Sequence, residues 1–318
     1  MLKAIRTRFR AYQLGNAGSS FSYFAGDHFT LGEARITDVS RPNLMAELSA
    51  CGKQGADTLH ITSWDADHCH ADELGEILDT FAPARIEYPG YAPHCDNSDS
   101  ALESILRYRE RGMRSSKNIV CQSIDPPYIA GLEKAAGFGY RDIVYHPRYL
   151  STDCNNDNST VKLYRKGAFN LLSLGDVESA SISAYLRTSS VVQREVDVMI
   201  LAHHGADNGF TNKQFLQRIT PCVAICTSNY DNHFEHPKQE IRDLLYEYDI
   251  PIFTTKTGDV LVQSTGTHTA RYQVINLKAN STEISSMTER RSKKADYLNR
   301  NADTVRNMYQ RLNRGPGR

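Results

Sequence analysis

Along the chain, short apolar runs alternate with stretches whose apolar residues recur every three or four positions. That is the pattern of strands interleaved with amphipathic helices. "SFSYFAG", "ARITDV", "DTLHITS" and "ARIEYPG" predict strands in the first half. "STVKLYRKGAFNLLSLGD" predicts a hairpin of two strands, and "EVDVMILAHHG", "CVAICTS", "IPIFTTK" and "DVLVQS" continue the series. Helices are predicted at "NLMAELSACGKQG", which a glycine ends, at "ADELGEILDTF", at "SDSALESILRYRERG" with its Ser/Asp N-cap signal and glycine stop, and at "PKQEIRDLLYEY". Strands fall in two blocks, each accompanied by helices, so an α/β fold is expected. No tandem repeat and no break in composition occurs before about residue 280, which predicts one domain over residues 1–280.

Beyond it, residues 281–318 read as a basic helical tail. Leu298, Ala302, Val305, Tyr309 and Leu312 recur at helical spacing, and the end, "NRGPGR", is loop-like. Ser285–Arg318 holds nine Lys/Arg against three Asp/Glu. Two readings stand open: a terminal helix packed on the body with a solvated basic face, or a contact with nucleic acid or a protein partner.

Composition narrows the class. Over 318 residues, 37 basic and 37 acidic side chains balance, so bulk charge does not select a polyanionic partner. The 40% apolar content is enough for a sizeable core. No apolar run approaches the ~18–20 residues that span a bilayer, so no membrane partner is expected. The basic N-terminus "MLKAIRTRFRAYQLG" lacks the apolar core of a secretion signal. Seven scattered cysteines, none in C-x-x-C spacing, suggest reduced thiols and a cytoplasmic location.

The candidate chemistry sits at strand ends. Asp65, Asp67 and His68 follow "TLHITS"; Asp176 follows "FNLLSLG"; His203 and His204 follow "DVMILA"; His233 and His236 follow "CVAICTS". Strand ends gathered at one sheet edge are where α/β proteins build sites. Carboxylates and imidazoles converging there suit divalent metals that activate water.

The order and spacing of these clusters resemble the metallo-β-lactamase superfamily, and within it the hydrolase domain of the competence protein ComEC. That branch reads H-x-D-x-D-H, N-x-x-S, L-x-G-D, H-H-G-S and a late H-P. The corresponding stretches here are "SWDADH", "NDNSTV", "LGDVE", "HHGA" and "HPKQEI". "AYQLGNAGSSFSYF" and "FTLGEARITDV" resemble the first two hairpins, so the likeness covers about residues 8–265. It implies an αββα sandwich, here with a C-terminal helical extension, and a metal site along one edge. Asp65, Asp67 and His68 look like first-motif ligands, Asp176 like a carboxylate bridging two metals, and His236 like the last ligand. His203 or His204 looks like a ligand or the group that meets the scissile phosphate.

Two departures stand out. The first histidine of the motif is Ser63 here, and a hydroxyl is a poor ligand beside imidazole or carboxylate. His70 follows where glycines are usual, either as helix N-terminal polarity or as a supplementary ligand or phosphate contact. Trp64 is either a base-stacking surface or a strand-end core residue. Asn156 and Ser159 are further substrate-contact candidates. The expected metal set is therefore Asp65, Asp67, His68, Asp176, His203 and His236, with Asp67, His203 and His204 catalytic. One or two divalent ions, zinc or manganese or else magnesium, would serve an oxygen-rich set. The resemblance implies a metal-dependent phosphodiesterase, foremost a nuclease on DNA rather than RNA, conceivable as a phage-defence effector. The alternatives are hydrolysis of a small phosphodiester or nucleotide, and a degenerate scaffold subunit.

Overall fold

The computed structural model describes residues 5–134, 141–266 and 271–294. Its strands, numbered along the chain, begin with β1 (Thr7–Ala11), β2 (Phe21–Ala25), β3 (His28–Gly32), β4 (Thr58–His60), β5 (Arg85–Pro89) and β6 (Val120–Ile124). The middle set is β7 (Ile143–His146), β8 (Val161–Tyr164), β9 (Leu171–Ser173), β10 (Val198–Ile200), β11 (Val223–Cys226) and β12 (Ile252–Thr254). Last come β13 (Val260–Ser264), β14 (Arg271–Leu277) and β15 (Ile284–Arg291). They form a nine-stranded sheet ordered β15-β14-β13-β1-β2-β3-β4-β5-β6 and a six-stranded sheet ordered β12-β11-β10-β9-β8-β7.

Helices cover both outer faces. Those of the first half are α1 (Arg41–Ala50), α2 (Ala71–Phe81), α3 (Asp96–Arg114) and α4 (Pro126–Lys134). The second half adds α5 (Ala180–Leu186), α6 (Ser190–Glu195), α7 (Lys213–Ile219) and α8 (Gln239–Glu247). α2 shows why the pattern works: Leu74, Ile77, Leu78 and Phe81 make one buried stripe, Asp72 and Glu73 sit in the first turn where the helix dipole favours acids, and Ala82 ends it in the left-handed region. That stripe packs with Leu44, Leu48 and Ile105 on Leu31, Leu59 and Ile86 of the large sheet. Phe215, Leu216, Ile241 and Leu245 cover the small sheet through Leu172, Met199 and Ala224. Between the sheets, Phe9, Phe21 and Tyr23 meet Leu171, Val198, Ile200 and Ile225. Along β10, Val198 and Ile200 face the inter-sheet core while Met199 faces the helices, so both faces are buried and the strand reads as a continuous apolar run. Four layers, αββα, result.

Two predicted elements differ. "ARITDV" is not a strand: the preceding "HFTLG" is β3, and Ala34 makes a single parallel bridge with Cys69. The Glu73 carboxylate accepts from the Ile36 amide at 2.6 Å and the Arg35 guanidinium at 2.9 Å, replacing a sheet partner. The second difference is at the tail. β15 lies inside residues 281–318, which the sequence assigned to a helix, and pairs antiparallel with β14. The segment after it is also tied down. The Lys293 amide donates to Asp197 at 2.8 Å, and the Lys294 ammonium donates to the carbonyls of Arg165 and Gly167 at 2.6 and 2.8 Å. The expected helix over Leu298–Leu312 lies outside the described residues. No helix among those described is long and apolar enough to cross a membrane, and all seven cysteines are free thiols.

Candidate metal centre

Each of the strands β4, β9, β10 and β11 runs parallel to a neighbour, and they end at the same edge of the two sheets. The loops leaving those ends bring four side chains together: Asp67, His68, Asp176 and His204, whose donor atoms all lie within 4.8 Å of one another. His68, Asp176 and His204 are buried, and Asp67 is half-buried.

Each imidazole is fixed from behind. His68 turns Nδ1 to the Glu33 carboxylate at 3.2 Å, and its Nε2 lies 2.8 Å from Asp176 Oδ1. His204 donates Nδ1–H to the Thr227 carbonyl at 2.6 Å, which leaves Nε2 facing Asp67 at 3.1 Å and Asp176 at 3.8 Å. Partners at Nδ1 fix the tautomer and aim both Nε2 atoms into the cluster, as metal-binding histidines are held. His68 Nε2 and Asp176 Oδ1 are close as an ion pair but not aligned as a hydrogen bond, and neither buried atom has a hydrogen-bond partner. Two buried polar atoms without a hydrogen bond, converging with two further donors within 4.8 Å, are aimed at a common point, as ligands of one cation are. The donor set therefore fits a divalent metal.

Without a metal, the carboxylates hold the two imidazoles in their protonated form. Burial disfavours charge on His68, but Asp176 and Glu33 outweigh it and raise its pKa well above 6.5. His204 is raised as well, burial being overcome by Asp176 and Asp67. Asp67 and Asp176 are lowered despite burial, because the two imidazoles favour their charged forms.

The backbone is bent to make this possible. His203, His204 and Gly205 are successive left-handed residues with φ of 45°, 52° and 85°. Non-glycine residues in that region cost about 1–3 kcal/mol each and persist where the surroundings impose them. Here the His203 amide donates to the Gly175 carbonyl and the Lys238 amide to that of Gly205, both at 3.0 Å. Gly18 serves the same end: a Cβ on it would stand 2.6 Å from the Asp67 carbonyl, to which the Ser19 amide donates at 2.9 Å.

The other candidates fall elsewhere. Asp65 is outside the cluster: its carboxylate accepts from Ser63 at 2.7 Å and faces His94 at 3.3 Å. The hydroxyl standing where the resemblance places a histidine thus draws Asp65 away. His203, beside the cluster rather than in it, sets Nδ1 2.6 Å from Glu178. His236 is also beside it, its ring 5.7 Å from that of His203 and 6.2 Å from that of His204. Burial and the neighbouring His204, His203 and Lys238 push His236 down to about 4. Trp64 is fully buried and donates its indole N–H to the Tyr91 carbonyl at 2.9 Å, so it offers no stacking surface. Ser159 is fully buried against Gly175, which removes it from substrate contact. Asn156 donates to Glu178 at 2.7 Å, and His70 is the half-buried residue that opens α2. Glu33, His94, Glu178 and Thr227 were not singled out from sequence. Glu33 and Glu178 lie inside quoted motifs, but nothing in one dimension assigns them their histidines.

No family model matches the chain. Two curated relatives do: ComE operon protein 3 of Bacillus subtilis, 24% identical over 217 residues, and Recombination protein 2 of Haemophilus influenzae, 28% identical over 120 residues. The chain is metallo-β-lactamase-like and, within that fold, ComEC-like. The first match covers 67% of this chain and 25% of the relative, the second 37% and 15%. The metallo-β-lactamase-like chain thus spans a quarter or less of the length of either relative. Among solved structures, a variant of the CmlA β-hydroxylase is similar over 82% of this chain and 54% of its own, at 12% identity and a TM-score of 0.44.

Proposed function

We propose that the chain is a metal-dependent phosphodiesterase that cuts DNA. The observation that carries this reading is the set Asp67, His68, Asp176 and His204, with both imidazoles aimed inward by Glu33 and the Thr227 carbonyl. These four would hold one divalent ion. When bound, such an ion supplies Lewis acidity toward a phosphodiester oxygen and an attacking water. Four protein donors saturate a tetrahedral ion, whereas an ion of five or six coordination keeps positions open for substrate; manganese suits this set better than zinc.

The remaining residues act around that centre. His203 and His236 stand at its rim, where either can meet a phosphoryl oxygen or the leaving group. The Thr227 carbonyl orients His204 through Nδ1. The substrate class is supported by the two relatives, one of which is named a recombination protein.

The test is cleavage by the purified chain with manganese, offered DNA, RNA and cyclic dinucleotides. DNA should be cut, and Asp176→Asn should lose bound metal and cleavage together while keeping its fold by circular dichroism. Rapid turnover of a small nucleotide with DNA left intact would refute the proposal.

A further inference from the structure

The loop between β11 and α8 carries two large aromatic side chains into solvent, and one of them, Phe234, stacks toward the metal centre. Tyr230 is 75% and Phe234 65% exposed. Single exposed aromatics need no explanation, but Phe234 is not isolated. Its ring stacks on that of His236, 5.7 Å between centroids and 21° between planes; His236 in turn stacks on His204, at 6.2 Å and 15°. Three near-parallel rings lead from solvent to a member of the cluster.

The loop is built to hold them. Asn232 bonds across it, donating to the carbonyls of Asn229 and His236 at 3.0 Å and accepting from the His236 amide. The Ser228 amide is anchored to Thr255 at 3.0 Å. The pinned loop holds Phe234 with one ring face on His236 and most of the side chain uncovered.

We infer that Phe234, with Tyr230 exposed on the same loop, forms a stacking platform for unpaired nucleobases, which makes single-stranded nucleic acid the preferred substrate. The inference rests on the phosphodiesterase reading and deepens it. Every base has a π face, so stacking of this kind tolerates sequence. A duplex keeps its base faces covered and cannot use the platform. Charge on the loop points the same way: Asp231 and Glu235 flank the aromatic residues and repel phosphates, so the loop meets bases and leaves the backbone to the centre.

The experiment compares the parent chain with Phe234→Ala, Tyr230→Ala and Phe234→Tyr, loaded with manganese. Cleavage of a single-stranded 20-mer, the matching duplex and bis(4-nitrophenyl) phosphate is measured, with oligonucleotide binding followed by fluorescence anisotropy. The alanine variants should raise KM for the single strand about tenfold, a larger change than any in kcat. The salt slope of binding should not move, since neither aromatic ring neutralises a phosphate. Phe234→Tyr should restore affinity. The inference is overturned by an unchanged KM for the single strand, by equal losses on the nitrophenyl ester, or by a parent that prefers duplex. If the parent binds the single strand through Phe234 but cuts nothing, the phosphodiesterase reading falls and the platform stands.

Discussion

Replacing Glu33 by Gln should weaken metal binding about 10–100-fold with little change of shape. Glu33 is 1% exposed and touches three polar groups. Oε2 accepts from the Thr62 amide at 2.9 Å; Oε1 accepts from the Thr62 hydroxyl at 2.7 Å and faces His68 Nδ1 at 3.2 Å. The backbone N–H cannot reverse its role, so in the variant the amide oxygen must take the Oε2 place and the NH2 the Oε1 place. The Thr62 hydroxyl can rotate to accept. The NH2 then faces His68 Nδ1 and favours acceptance there over donation to the Thr62 hydroxyl at 3.2 Å, which puts the ring proton on Nε2, the atom that faces Asp176. Ligation requires reversing that tautomer and forfeits the carboxylate behind the ring. Losing such a partner typically costs 10–100-fold in affinity, or about 1.4–2.7 kcal/mol. Isothermal titration of chelator-stripped protein with manganese reads the change directly, and melting of the metal-free forms controls for folding. A Kd within threefold of the parent would show that Glu33 does not set the His68 tautomer.

Gly205→Ala should destabilise by about 1–3 kcal/mol and reduce metal uptake, because φ is 85° and the new Cβ would stand 2.7 Å from Pro237 Cβ; thermal melting and metal analysis check both. Burial raises Asp197 to about 6 in the folded chain. Its unfolded value is near 3.9, so the folded state binds this proton more tightly, and its stabilisation is full below pH 4 and lost as pH rises to about 6. The loss is on the order of 3 kcal/mol, and urea denaturation from pH 4 to 7 should show a fall that Asp197→Asn lacks. Deleting residues 295–318 should leave the fold intact, since the Lys293 and Lys294 anchors remain. If that segment grips a phosphate backbone, the log–log salt slope of DNA binding should flatten by roughly 0.7–0.9 for each phosphate it neutralises. Truncating from residue 289 instead should lower the melting temperature by removing part of β15 and those anchors.

The alternation of strands and helices, their α/β class and the strand-end position of Asp67, His68, Asp176 and His204 were legible in one dimension. Apolar periodicity states which residues face a core, and an apolar run that stops at a cluster of acids and histidines marks a strand end. One dimension could not say which way a side chain turns once there. Asp65 and Asp67 lie two residues apart in one motif, yet the hydroxyl of Ser63 and the ring of His94 claim the first while His204 claims the second. His203 and His204 are sequence neighbours, and left-handed backbone aims one at Glu178 and the other at Asp176. β15 is exposed along most of its length and shows no apolar pattern, so only pairing with β14 makes it a strand. Most of these choices depend on partners outside the motif, 137 residues away in the case of Asp67 and His204. Local propensity carries no information about them; the packing of two sheets against each other decides them.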